Sequence, residues 1–117
     1  MHGIEVGGKF HEIRFSINAL AELEEMSGHD IEFHLTRIQS ASSVSSMRWL
    51  FGCGCRGANP AIGVNACGEV LETYLREGGS LMKLFEEITG AAEECGFFIA
   101  ALRAGEESKK TQEKASA

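Results

Sequence analysis

Between Ser16 and Gly28 the chain carries both ends of a helix and the apolar stripe that such a helix must bury. No other segment constrains the fold as strongly. Arg14 and Phe15 close a stretch with strand-like alternation. Ser16 is placed to cap, because its side-chain oxygen accepts from an N–H that a first helical turn leaves unpaired. Ile17, Leu20 and Leu23 recur at three-residue intervals, Ala19 and Met26 widen the stripe, and Glu22, Glu24 and Glu25 fill the other faces. Ser27-Gly28 ends the element, since glycine takes the left-handed conformation of a helix C-terminus without a Cβ clash. A helix this short is marginal alone, so the rest of the chain must cover its apolar side.

The remainder is enough for one modest core. The 117 residues are 44% hydrophobic and 24% charged, which fits a single soluble domain and is too apolar for general disorder. Seventeen acidic against eleven basic side chains give a net charge of −6, which disfavours nucleic acid, whose affinity comes largely from neutralising phosphates. An acidic surface suits solubility or a basic protein partner. No stretch approaches the roughly eighteen apolar residues of a membrane span. The opening MHGIEVGGKF lacks the charged and apolar regions of a signal peptide, so the expected compartment is cytoplasmic. Cysteines there are reduced, and the four in this chain do not read as a disulfide framework.

Residues 1–15 read as a hairpin. Ile4 and Val6 alternate with Glu5, Gly7-Gly8 supplies the turn, and Phe10, Ile13 and Phe15 follow. Phe10 is out of phase with the other two, which suggests a bulge or a short first part. After Gly28, Asp30 caps a second helix through Ile31, Leu35 and Ile38, and residues 39–46 read as a Ser-rich connection ending in a cap at Ser42 or Ser43. Val44, Met47, Leu50 and Phe51 form a third helix that GCGCRGANP is expected to end. Asn59-Pro60 marks a turn or a first helical turn, and Ala66, Val70, Leu71, Tyr74 and Leu75 form the fourth helix, closed by Gly78-Gly79. Ser80 caps a fifth, whose stripe of Leu81, Leu84, Phe85, Ile88, Ala92, Cys95, Ile99 and Leu102 extends for about six turns. Gly90 and Gly96 interrupt it, weakening the helix or admitting another backbone. The expected fold is mainly α, a short N-terminal β-hairpin and about five helices in a compact bundle. It comprises a domain over 1–104 and a flexible polar tail over 105–117.

No set of residues converges on a catalytic pattern. Cys53 and Cys55 are too close for a zinc pair and Cys67 and Cys95 stand alone on apolar faces, so all four read as core thiols. His2, His11, His29 and His34 form no HxxxH or HExxH pair, and His29 and His34 read as solvated or bonded to a local carbonyl. Glu22, Glu24 and Glu25, with Glu86, Glu87, Glu93 and Glu94, make two acidic helix faces, read as solvated or facing a basic partner. Gly52, Gly54 and Gly57 lack a phosphate-loop pattern and read as a helix breaker. Phe97-Phe98 sends two large rings to opposite sides of one helix. A small domain cannot easily bury both, so one is expected at a contact with another chain. With the last helix stripe, the expected partner-binding residues are Leu81, Phe85, Ile88, Phe97 and Phe98. No catalytic, cofactor or metal residue is assigned.

The run from Phe15 to Glu25, F-S-I-N-A-L-A-E-L-E-E, preceded by a hairpin and followed by a glycine-terminated helix, resembles the start of the small tail assembly chaperones. These are encoded by long-tailed phages, prophages and gene transfer agents, near the tail tube and tape measure genes. The likeness extends from about Gly8 to Phe98, where the aromatic pair matches the closing pair of many members. It implies a non-enzymatic chaperone in the host-cell cytoplasm, without cofactor. Such a protein holds the tape measure protein soluble while tail tube subunits assemble around it, and oligomerises to multiply weak contacts. Many members also exist in a longer frameshifted form, with which Lys109-Lys110 is compatible. The Gly- and Cys-rich segment 52–57 departs from the family pattern. Two other readings are a minor tail component retained in the particle, which would call for more strands, and a small thiol- or metal-dependent enzyme using the cysteines.

Overall fold

A computed structural model of the chain describes residues 1–41 and 43–96. Over those residues it is mainly helical, with an N-terminal two-stranded hairpin. The order is β1 (Gly3–Val6), β2 (Lys9–Glu12), α1 (Ile17–Ser27), α2 (Ile31–Ala41), α3 (Val44–Ala58), α4 (Val64–Arg76) and α5 (Leu81–Glu94). The part of the last stripe beyond residue 96 and the expected tail lie outside the described residues.

The hairpin turns on Gly7 and Gly8, both at positive φ, and pairs Gly3 with Glu12 through Val6 with Lys9 without a bulge. Ile13 N–H continues the ladder to the His2 carbonyl at 2.8 Å. Odd-numbered residues of β2 therefore share the face of Ile4 and Val6, and Phe10 points outward beside Glu5. Its misplaced phase was true alternation, not a bulge. The Phe10 ring folds across Gly3, where a Cβ would stand 2.6 Å from it.

α1 has both predicted ends. Ser16 Oγ accepts from Ala19 N–H at 3.1 Å, and Gly28, at φ 79°, donates to the Glu24 carbonyl at 2.9 Å. Ala19, Leu20 and Leu23 are buried, whereas Ile17 is 59% exposed and Met26 56% exposed. The reason is angular. A strict three-residue step falls about 60° short of a turn, so nine residues carry Ile17 and Met26 to opposite flanks.

α3 is the hub, packing against α1, α2, α4, α5 and β2. Leu50 and Phe51 are fully buried in it, near the shared core of Ile4, Ile13, Ile38, Leu84 and Ile88. Its second half corrects the sequence reading. The GCGCRG segment continues the helix to Ala58, and Asn59-Pro60 supplies the stop. Two of the three glycines serve close approach. A Cβ on Gly57 would lie 1.8 Å from the Arg14 carbonyl oxygen, and one on Gly54 would lie 2.4 Å from Ile13 Cγ2. The strand leaving β2 rests on the helix there: Arg14 N–H donates to the Gly54 carbonyl at 2.9 Å and Arg14 Nη2 to that of Gly57 at 3.1 Å. Each helical glycine costs about 1 kcal/mol of propensity, offset here by a backbone-to-backbone fit that no side chain would permit.

Two boundaries also move. α2 runs on to Ala41, so the expected eight-residue connection shrinks, and Ser43 Oγ caps α3 by accepting from Ser46 N–H at 3.2 Å. α5 starts at the Ser80 cap as expected, but stops at Glu94, with Cys95 extended at ψ 120°. Its 14 residues make about four turns, and the expected stripe beyond residue 96 lies outside the described residues. Gly90 lies inside it under the His2 ring, which a Cβ would meet at 2.4 Å.

Candidate partner-binding surface

The four thiols lie in the core. Cys53 Sγ donates to the Ala19 carbonyl at 3.3 Å, tying α3 to α1, and burial first, then Glu22, pushes the thiol up to about 12. Cys55 and Cys67 share a hydrogen bond between α3 and α4. That bond and then burial raise Cys55, while the same bond, helped by the Arg56 guanidinium, lowers Cys67. Cys67 is only 1% exposed, so this thiol faces its partner thiol and no solvent-borne substrate. Among the described residues no three His, Cys, Asp or Glu side chains are grouped to hold a metal ion.

His34 departs from its expected solvated state. It is buried, with Nε2 2.9 Å from Ser27 Oγ and Nδ1 3.0 Å from Ser46 Oγ, a bracket that joins α1, α2 and α3. With the Ser27 hydroxyl donating to the His29 carbonyl at 3.0 Å, Nε2–H donates to Ser27, and in the neutral ring Nδ1 accepts from Ser46. Burial first, then His29, lowers its pKa, which favours that neutral ring. His2 behaves oppositely. Its Nδ1 meets Glu87 at 2.9 Å and its Nε2 meets Glu94 at 3.0 Å, and the hydrogen bond to Glu87 leads the causes that raise it. His2 thereby clips the N-terminus onto α5.

The acidic faces divide in the same way. Glu22, partly exposed, is paired with the Arg56 guanidinium, with Nη2–Oε2 at 3.1 Å, and Arg56 also donates to the Ile62 carbonyl. Glu87 and Glu94 belong to His2. Glu86 and Glu93 are exposed and ion-paired to no described residue.

Of the five expected contact residues, three fall among the described ones. Leu81 is 43% exposed, Phe85 is half-buried, and Ile88 is fully buried in the core. Ile88 is therefore a packing residue rather than a surface contact in this fold. Phe97 and Phe98 lie outside the described residues. Sequence reasoning missed two neighbours of Leu81 and Phe85. Met82, 67% exposed, stands beside Leu81 off the apolar stripe, and Ile38 of α2 forms the far wall of a groove along α5. This groove is a shallow, open one of about 630 Å³ including the solvent at its mouth, with Phe85, Thr89, Glu86 and Glu93 on its α5 side and Gln39 beside Ile38. A narrower cleft of about 360 Å³ separates α1 from α3 and is lined by Leu23, Met26, Trp49 and Arg48 among others. An exposed methionine one step off the stripe was the available sequence signal for the first. Nothing in the sequence marked the α2 wall.

No described helix is long and apolar enough to cross a membrane. Comparison with protein-family models, with characterised proteins and with solved structures yields no match.

Proposed function

We propose that this chain is a non-enzymatic tail assembly chaperone that binds the tape measure protein and keeps it soluble during tail tube assembly. The observation that carries this reading is the apolar edge of α5, where Leu81 and Met82 stand exposed and Phe85 reaches the surface next to an open groove. Grouped together, these three large apolar side chains form a patch of the kind that another chain covers. The resemblance over Phe15–Glu25 supplies the identity of that chain. The burial of all four thiols agrees with a role in packing.

Aggregation-prone helices expose apolar stripes at three- and four-residue spacing, and a groove between two helices accepts such a stripe as a third helix would. Oligomerisation would raise avidity through effective concentration. Co-expression with the long helical tail protein encoded nearby tests the proposal. The expected result is that the long protein stays soluble and co-purifies, and that Phe85→Asp abolishes both. Aggregation of the partner regardless of this chain would overturn it.

A further inference from the structure

α5 carries four glutamates in two adjacent pairs, and the structure uses them differently. Glu87 and Glu94 are held by His2 at 2.9 and 3.0 Å. Glu86 and Glu93 turn to the other side and stand exposed along the α2–α5 groove, with no ion-pair partner among the described residues. They are seven residues apart, about 10 Å along the axis, so they mark two points on one edge of the groove. Half-buried Phe85 lines it over the buried Ile38, and exposed Leu81 and Met82 extend its apolar side towards the start of α5. Among the described residues no Lys, Arg or His lines it.

The geometry points to this groove as the seat of a cationic amphipathic helix from a partner protein. Its apolar side chains, at three- and four-residue spacing, face Phe85, Leu81 and Met82, and lysines or arginines two turns apart meet Glu86 and Glu93. Charge decides the occupant. A second copy of this chain docking two-fold through the same groove would bring its own Glu86 and Glu93 to this edge, and an anionic segment or surface would be repelled. A helix with a basic flank satisfies both the apolar interior and the unpaired rim. This assignment rests on the chaperone reading only in taking the occupant to be a segment of another protein.

Fluorescence anisotropy with the full chain tests it. The probes are two labelled synthetic helices that share one Leu/Phe pattern, one carrying Lys and the other Glu along the flank. The Lys helix is expected to bind at least about tenfold more tightly at low salt, with the gap narrowing as salt rises. The double variant Glu86→Lys/Glu93→Lys should reverse the order of the two helices. The control Glu24→Lys/Glu25→Lys, on exposed positions of α1, should leave the order intact. Equal binding of both helices, no binding, or an equal effect of the α1 control would overturn the assignment. Helix discrimination without rescue of the long tail protein would remove the chaperone reading and keep the groove. Rescue without discrimination would do the reverse.

Discussion

The second half of α3 and the outer side of α5 are built on opposite terms. At Gly54 and Gly57, α3 has given up side chains so that the segment from Ile13 to Ser16 can rest on its backbone, and nothing further fits. α5 keeps large apolar side chains at Leu81, Met82 and Phe85 and leaves them with room beside them. Where the molecule is complete, close approach sets residue choice. Where apolar bulk is left over, the proposed partner would finish the packing. The motif that resembles the chaperone family lies at the first place, and the surface proposed to act lies at the second. On the proposed reading, fold and function are carried by different segments.

The contrast breaks most visibly at Gly57. A methyl group there would stand 1.8 Å from a backbone oxygen, which cannot rotate away as a side chain can. Gly57→Ala should cost about 3 kcal/mol or more, at the upper end of overpacking effects, and urea unfolding would measure it. A change below about 1 kcal/mol would mean that the junction is looser than its geometry.

His34→Ala should cost about 2 kcal/mol, because it strips a buried partner from Ser46 as well as the bond to Ser27. The pH dependence supplies a sign. A histidine with a folded pKa below 6.5 binds fewer protons than the unfolded chain, so stability is full above 6.5 and falls as the pH drops towards the lowered value. The variant should lose much of that acid sensitivity, which unfolding midpoints between pH 5 and about 7.5 would reveal.

His2→Ala should have the smallest effect, below about 1 kcal/mol, since its ion pairs are at the surface. Its sign is the reverse. The folded pKa is raised, so the clip contributes fully below 6.5 and is lost as the pH rises through the raised value. The difference between wild type and variant should therefore shrink in alkaline buffer, and an imidazole NMR titration would locate the midpoint.

Features fixed by local chemistry were legible in the chain. Ser16, Gly28, Asp30 and Ser80 each supply the atom or the backbone freedom that a helix end requires, and each sits where it was expected. The glycine run in α3 was not legible, because the feature that keeps it helical is the carbonyl of Arg14, about forty residues earlier in the chain. Ile88 was misjudged for a related reason. It shares a helical face with Leu81, but a stripe shows only which face is apolar. How far neighbouring helices extend along that face decides which of its residues are covered. His34 lay beyond sequence reasoning because its two partners come from separate helices.

β1 packs against both α4 and α5, so the first strand of the chain is enclosed by its last described helices. During synthesis Ile4 and Val6 must therefore wait for Leu84 and Ile88 before they have a covered place, a gap of about eighty residues. Closing so long a loop costs entropy that only the finished core returns. Until α5 has left the ribosome, the hairpin presents apolar side chains with no cover, and the nascent chain is itself in the condition that its proposed partner is kept from. A chain stopped before Leu81 should be recovered as aggregate rather than as a smaller stable domain.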